Sequence, residues 1–417
     1  MQLLHTADWH LGSTLLENSR KGEYEQFFDW LIALIRQRGI DALLISGDIY
    51  DSANPSAESR RLYSSVLSRL AAETDCRHII LIAGNHDSPS QLEAEAPFLS
   101  NCRARVVSRL NSTEDIDRCL IPLTNADGQE ELLVCALPFL RAGVARSVSN
   151  DTPEEERRDA YINGVRDIIA AVAVKAASWK NEHPQGRVIA MAHQAIVGAR
   201  PTESTRGVIG TLDTLPCSAF APVFDYVALG HIHHPWAQDG RRICYSGSPL
   251  PMGMDEADFE HKLRLIRTEG AALQVESITV PRFVLPLCHS CGSAEELDRL
   301  PAWLAEQSAA AGGLPIRLEL AYEGHDLSLA EINDRLRKSL REDTVFRVRR
   351  PRPRLRMSTP TEEEPIESLA DYAPDKVFEM RLHDYESNTA PLPEPERELL
   401  RALFGKLLHE LSAERQN

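Results

Sequence analysis

Five short, largely apolar runs in the first 233 residues each stop at a carboxylate, an amide or an imidazole. Leu3–Thr6 leads to Asp8-Trp9-His10, Ala42–Ser46 to Gly47-Asp48, and His78–Ala83 to Gly84-Asn85-His86-Asp87. Further on, Val188–Ala192 ends at His193 and Phe224–Leu229 at Gly230-His231-Ile232-His233. Apolar runs of this length read as strands buried on both faces, so both sides of the sheet must be covered. Helical segments supply that cover. Glu23–Arg38 carries Tyr24, Phe27, Phe28, Leu31, Ile32 and Ile35 at helical spacing, with Gly39 placed to end it. Ser56–Glu73 turns Leu62, Val66 and Leu70 to one side. The alternation of strand and helix implies parallel strands, and in such sheets ligands sit beyond the carboxyl ends. All five polar clusters occupy that position.

A third helix is expected over Ala160–Lys175, and short strands over Arg242–Tyr245 and Lys262–Ile266. Near residue 280 the pattern changes to a small α+β unit: helix Ala294–Gln307, strand Pro315–Ala321, helix Leu329–Arg341, strand Val345–Arg349. A Pro- and Glu-rich linker beginning at Ser358 then precedes two helices, Pro374–Leu382 and Glu396–Ser412. The divisions are 1–280, 281–357 and 358–417. A chain of 417 residues at 43% hydrophobic is long enough for two or three such domains.

No stretch approaches the 18 or more apolar residues of a membrane span, and the N-terminus lacks a secretory signal, so a cytoplasmic protein without membrane contact is expected. The eight cysteines are scattered in apolar contexts and predict no disulfides. A net charge of −16 argues against a polyanionic partner until its distribution is considered. Residues 361–417 hold 14 acidic against six basic residues, a surplus of eight negative charges, which is half the excess. The remaining body is only mildly acidic.

Singly, each polar cluster has a plainer explanation, since an Asp at a strand end caps a turn and a lone His is a surface or core residue. Together they form a donor set of carboxylate, amide and imidazole without thiolate, suited to manganese, iron or magnesium rather than structural zinc. In extended backbone Asp8 and His10 project to one side, as do His231 and His233, and glycines 47, 84 and 230 allow tight turns where the ligands converge. Seven donors fit two ions better than one. Two divalent ions roughly 3.5–4 Å apart clamp a phosphate for in-line displacement.

The motifs D-x-H, G-D, G-N-H-D, a lone His and G-H-x-H, in this order, resemble the calcineurin-like metallophosphoesterases. HTADWHLG, SGDIYD, AGNHDS, IGTLD, ALGHIH and SGSP narrow the likeness to the Mre-type nuclease family that includes the bacterial SbcD proteins. The likeness covers residues 1 to about 280 in specific motifs and the remainder loosely. It implies an α/β fold, a β-sandwich flanked by helices, followed by a small α+β capping domain and a C-terminal helical pair. It also implies one metal held by Asp8, His10, Asp48 and His233 and a second by Asp48, Asn85, His193 and His231, with Asp48 bridging them and manganese the expected ion. His86 stabilises the transition state or protonates the leaving oxygen, and Asp87 orients its ring. Asp51 and Ser246 are candidates for supporting hydrogen bonds, with turn and packing roles the alternative. The implied activity is double-strand exonuclease and single-strand, hairpin-opening endonuclease in DNA repair, replication and recombination.

Arg347, Arg349, Arg350, Arg352, Arg354 and Arg356 either bind DNA backbone phosphates, or line a solvated edge strand or pair with the acidic tail. Leu399, Leu400, Leu403, Phe404, Leu407, Leu408 and Leu411 stripe the last helix, which packs on its own domain or docks on a partner. By resemblance, residues 374–412 grip an SbcC-type coiled-coil ATPase, and the helix Ser56–Glu73 is a candidate homodimer contact within a heterotetramer. Cys288 and Cys291 form a single CxxC that cannot complete a tetrahedral site alone, and no P-loop is present. Two competing functions are a stand-alone phosphatase or small-molecule phosphodiesterase, and a scaffold that has lost activity.

Overall fold

A computed structural model describes residues 1–110, 113–141, 153–199, 202, 214–240, 242–270, 273–350, 378, 382 and 394–414. They fall into two compact units, Met1–Arg350 and Pro351–Asn417. The first unit is built on two six-stranded sheets. One runs in the order Gln274–Thr279, Lys262–Arg267, Gln2–Thr6, Ala42–Ser46, His78–Ile82, Ala104–Val107. The other runs Trp236–Gln238, Ile243–Tyr245, Tyr226–Gly230, Arg187–His193, Glu130–Ala136, Leu120–Thr124. Most strand pairs are parallel; both edges of the second sheet and the Lys262–Arg267/Gln274–Thr279 edge of the first are antiparallel, as is the pair Gln2–Thr6 with Lys262–Arg267, while Ala104–Val107 joins the other edge in parallel.

Alternation along the strands decides what each face buries. Leu3, Ala42, Leu44, Ile80 and Ile82 join a cluster with Val134, Ile189, Ala228 and other residues of the second sheet, so the sheets pack face to face. The intervening residues Leu4, Leu43, Ile45, Ile79 and Leu81 meet Phe27, Leu31, Leu67 and Leu70 of the helices Lys21–Arg38 and Ala57–Glu73. The second sheet is covered on its outer face by Val165, Ile168, Ile169 and Val172 of the helix Glu154–Glu182. The result is a helix-flanked β-sandwich.

Local signals end the elements as expected. Gly39 closes its helix in the left-handed region at φ 60°, and the Ser56 hydroxyl accepts from the Ser59 amide to start the next. Because Leu62, Val66 and Leu70 of that helix are buried in the core, packing alone accounts for its apolar face. The helix expected over 160–175 is extended at both ends to Glu154–Glu182. Leu120–Thr124 contains Pro122, a strand breaker in sequence, and survives because it is an edge strand. Glu130–Ala136, Ala104–Val107, Gln274–Thr279 and Leu285–Cys291 are also strands without an expectation behind them.

Leu285–Cys291, Ile316–Tyr322 and Val345–Arg349 form a parallel three-stranded sheet with its own cluster, including Leu300, Leu304, Leu318, Leu320 and Leu336. Its helices are Ala294–Ala310 and Leu329–Ser339, the latter started by a capping box of Ser328 and Glu331. In the second unit Glu394–Glu414 is helical, and the Phe378 and Phe404 rings stack at 4.2 Å between centroids. Most of the expected helix 374–382 lies outside the described residues, as do the linker from Ser358 and the motif 209–213. All eight cysteines are free thiols, and no described helix is long and apolar enough to cross a membrane.

The two sheets come into close contact where Gly230 passes Ser46. A Cβ on Gly230 would overlap the Ser46 carbonyl oxygen, while the Ser46 hydroxyl donates to the Ala228 carbonyl at 3.0 Å. Gly230→Ala is expected to destabilise the fold by about 1–3 kcal/mol through overpacking. Urea unfolding of the variant beside the unaltered chain measures it, and an unchanged midpoint would mean that the seam yields freely.

Candidate metal centre

Four of the seven expected ligands are not presented by extended backbone. Asp8, His10, Asp48 and His231 adopt φ of 53°, 46°, 48° and 100°, in the left-handed region that costs a non-glycine residue on the order of 1 kcal/mol or more. Backbone hydrogen bonds hold them there. The amide of Asp8 donates to Gly47 O at 3.0 Å, His10 N to Asp48 O at 2.9 Å and Leu11 N to Ile49 O at 2.9 Å, so two rim loops run side by side. Among the three glycines expected to turn, only Gly47 has positive φ, at 89°. Gly84 and Gly230 serve close approach instead, since a Cβ on Gly84 would overlap the Asp48 carboxylate.

All seven expected ligands converge. His10 Nε2 lies 3.2 Å from His233 Nε2 and 3.6 Å from Asp48 Oδ2. His193 Nε2 is 3.3 Å from the same Asp48 oxygen and 3.0 Å from Asn85 Oδ1, which His231 Nδ1 approaches to 2.9 Å. Three sets, Asp8-His10-His233, His10-Asp48-His86 and Asp8-Asp48-His193, each bring their donor atoms within 4.8 Å of one another. Asp48 thus stands between a group containing His10 and a group containing His193. The donors come from both sheets: Asp8, His10, Asp48 and Asn85 follow strands of the first, His193, His231 and His233 the second.

Outer contacts aim the rings. His193 Nδ1 donates to the Ser46 carbonyl at 2.8 Å, leaving Nε2 to the centre. His233 Nδ1 donates to Glu256 Oε1 at 2.9 Å, while Glu256 Oε2 accepts from the Met252 amide at 2.7 Å. The amide of His231 donates to Asp8 Oδ1 at 2.9 Å. Glu256 is wholly buried. It follows His233 by 23 residues and lies in no recognisable spacing, and within the acidic run Asp255-Glu256-Ala257-Asp258 nothing singles it out, so sequence reasoning passed over it.

Charge balance shows what the centre accommodates. Burial alone would raise the Asp48 carboxyl, but the charge and hydrogen bond of His193, with His10, hold it well below the usual range. Burial lifts Asp8 against the pull of His193 and His233. Burial opposes charge on His10, yet its bond to Asp51 and the nearby Asp48 and Asp8 raise it to about 9. His193, likewise desolvated, is raised to about 9 by Asp48 and Asp8. Two buried carboxylates therefore recruit protons onto imidazoles whose nitrogens face a common space. Divalent cations satisfy the same demand, and the N/O donor set, free of thiolate, fits hard or borderline ions.

His86 borders the cluster, its ring edge-on to His10 at 4.8 Å between centroids. Its Nδ1 meets the Asp51 carbonyl at 2.8 Å, and its amide donates to Asp48 Oδ1 at 2.9 Å. Asp87 does not orient that ring. Its carboxylate accepts from the amides of Ile49, Tyr50 and Gly84 at 3.1, 2.9 and 2.8 Å, locking one rim loop to the next. Asp51 approaches His10 Nδ1 at 3.4 Å, while the Ser246 hydroxyl donates to the adjacent Gly247 carbonyl.

Elsewhere the expectations divide. Arg347 and Arg349 both pair with Glu319, and Arg350 donates to the Gly324 and Leu327 carbonyls beneath the Tyr322 ring, so these three guanidiniums are engaged in the fold. Arg352, Arg354 and Arg356 lie outside the described residues. Cys288 is exposed and Cys291 buried on the same strand, three residues apart and so on opposite faces, which rules out a shared ion.

The family described as calcineurin-like phosphoesterase matches residues 1–235, a span that holds all seven expected ligands. The chain belongs to that family. Among curated relatives, each named as the SbcD component of the SbcCD nuclease, the Rhodobacter capsulatus protein is 35% identical over 68% of this chain and 70% of its own length. That of Escherichia coli K12 is 29% identical over the full length of both, and that of Bacillus subtilis 31% identical over 81% of this chain and 83% of its own. Glu256 falls beyond the matched family span.

Two outcomes are expected. Glu256→Gln should lower manganese affinity about 10- to 100-fold by releasing the His233 ring, as titration calorimetry would show; unchanged affinity would mean that the ring is held without it. Because His10 and His193 bind protons up to about pH 9 without metal, uptake should release protons and strengthen as pH rises from 6 to 9. Calorimetry in buffers of different ionisation enthalpy reads that release directly.

Proposed function

We propose that the chain is the metal-dependent nuclease component of an SbcCD-like complex, hydrolysing DNA phosphodiesters as a double-strand exonuclease and a single-strand, hairpin-opening endonuclease. One observation carries this reading: the Asp48 carboxylate lies between two groups of N and O donors whose imidazoles are aimed from behind by Ser46 O and Glu256. We assign Asp8, His10, Asp48 and His233 to one ion and Asp48, Asn85, His193 and His231 to the other, with manganese the expected metal. Such ions, when bound, supply Lewis-acid charge for a phosphate and activation of water.

The chain's own groups do the remainder. With Nδ1 donating to the Asp51 carbonyl, His86 presents Nε2 to substrate, where the protonated ring neutralises charge on the phosphate and passes a proton to the departing oxygen. Asp87 keeps the loop carrying His86 against the loop carrying Asp48. The names of the relatives support a partnership with an SbcC-type ATPase, and within the second unit the exposed Leu400 and Leu403 offer an apolar face for it. The separate cluster of the three-stranded sheet supports treating 281–357 as a cap on the nuclease region 1–280, with 358–417 for the partner.

Purified protein with manganese should cleave labelled linear and hairpin DNA. His86→Ala should lose at least about 100-fold in rate while binding the same amount of manganese. Turnover of a small phosphodiester with no cleavage of any DNA would replace this proposal with a small-substrate phosphodiesterase, and loss of metal in the variant would make His86 a ligand instead.

A further inference from the structure

A groove of about 400 Å³ opens on the rim beside the metal centre, walled in part by Ser90, Arg109, Phe139 and Arg141. It is continuous with the centre through direct contacts. The Phe139 amide donates to Ala83 O at 2.8 Å, immediately before the Gly84–Asp87 loop. The Phe139 ring stands edge-on to His193, 6.3 Å between centroids. The Arg141 guanidinium donates to the backbone carbonyl of Asp87 at 3.0 Å, one residue beyond His86.

The two arginines of the groove differ in the charge of their surroundings. Arg109 is matched by Glu93, with Nη2–Oε2 at 2.7 Å and Nε–Oε1 at 3.1 Å, so its charge is largely cancelled. Arg141 is exposed, touches a neutral carbonyl and the Phe139 ring, and forms no ion pair with a described carboxylate. On a chain of net charge −16, an uncompensated guanidinium next to a carboxylate-built centre has one natural ligand, an anion that spans both. A nucleic-acid strand carries such anions in series. With one phosphodiester at the centre, the next along the backbone reaches the groove, where the planar guanidinium can hold two of its oxygens.

We infer that Arg141 anchors a substrate subsite by binding the backbone phosphodiester adjacent to the one being cleaved. The inference rests on the nuclease reading of the metal centre. It concerns the strand's phosphate and not its sequence, so it predicts binding without base preference.

The test compares the full chain with Arg141→Ala and Arg141→Lys on a single-stranded oligonucleotide in manganese, over a range of salt concentrations. Arg141→Ala should raise KM about tenfold, equivalent to one lost charge-assisted contact. It should also make the dependence of log KM on log salt shallower by about 0.7, the signature of one phosphate contact on a single strand. Arg141→Lys should restore most of the slope and part of the KM. An unchanged KM and slope would overturn the inference. So would a raised KM with an unchanged slope and a lowered melting temperature, which is what loss of the Asp87 contact alone would produce. The unaltered protein is assayed in parallel on bis(p-nitrophenyl) phosphate. Failure on both that diester and DNA would remove the nuclease reading and this inference with it, whereas turnover of both beside an unaffected Arg141→Ala would remove this inference alone.

Discussion

The carbonyl of Ser46 is the contact on which the site depends. It ends an inner strand of the first sheet, accepts from His193 Nδ1 of the second, and lies so near Gly230 that no side chain fits there. Two sheets held at that distance bring the ends of five strands to one place. Without it, Asp8, Asp48 and Asn85 would belong to one surface and His193, His231 and His233 to another. The apolar sandwich behind this contact excludes water, so the carboxylates and imidazoles act on each other at close to their full strength.

That arrangement carries an energetic burden. Four of the expected ligands sit at positive φ, and two carboxylates are buried within reach of each other. Each is unfavourable alone. The rim compensates through backbone hydrogen bonds between adjacent loops and through Asp87, which joins three amides from two of them. The protons drawn onto His10 and His193 show that the remaining imbalance is electrostatic, and it has the sign that cations relieve. Strain and negative charge are concentrated where chemistry occurs, while the core beneath is ordinary aliphatic packing.

Much of this was legible beforehand. Apolar runs with polar ends marked the strands and their working rim, and the residues singled out there by type are brought together by the fold. The orientation argument failed at Asp8, His10 and His231, because side-chain alternation holds only while the backbone stays extended, and here it turns left-handed. The orienting role expected of Asp87 failed for a related reason: the neighbour of His86 in sequence faces amides, and the Asp51 carbonyl from another loop meets the ring. Glu256 was invisible because its partner is remote along the chain. Of the readings open for the arginines at 347, 349 and 350, engagement within the fold is the one seen, though with Glu319 and two carbonyls that nothing local reveals.

By itself the amino-acid order determined the kinds of donor, the absence of thiolate among them and the helix-covered strands, for these depend on composition and short-range periodicity. Tertiary structure decided that there are two sheets and which atom of each donor faces the centre. It also decided which carboxylate steadies which ring, and which arginines are paired with Glu93 and Glu319. Those outcomes rest on contacts between residues up to 223 positions apart, such as His10 with His233, and the chain's local pattern carries no information about distances of that kind.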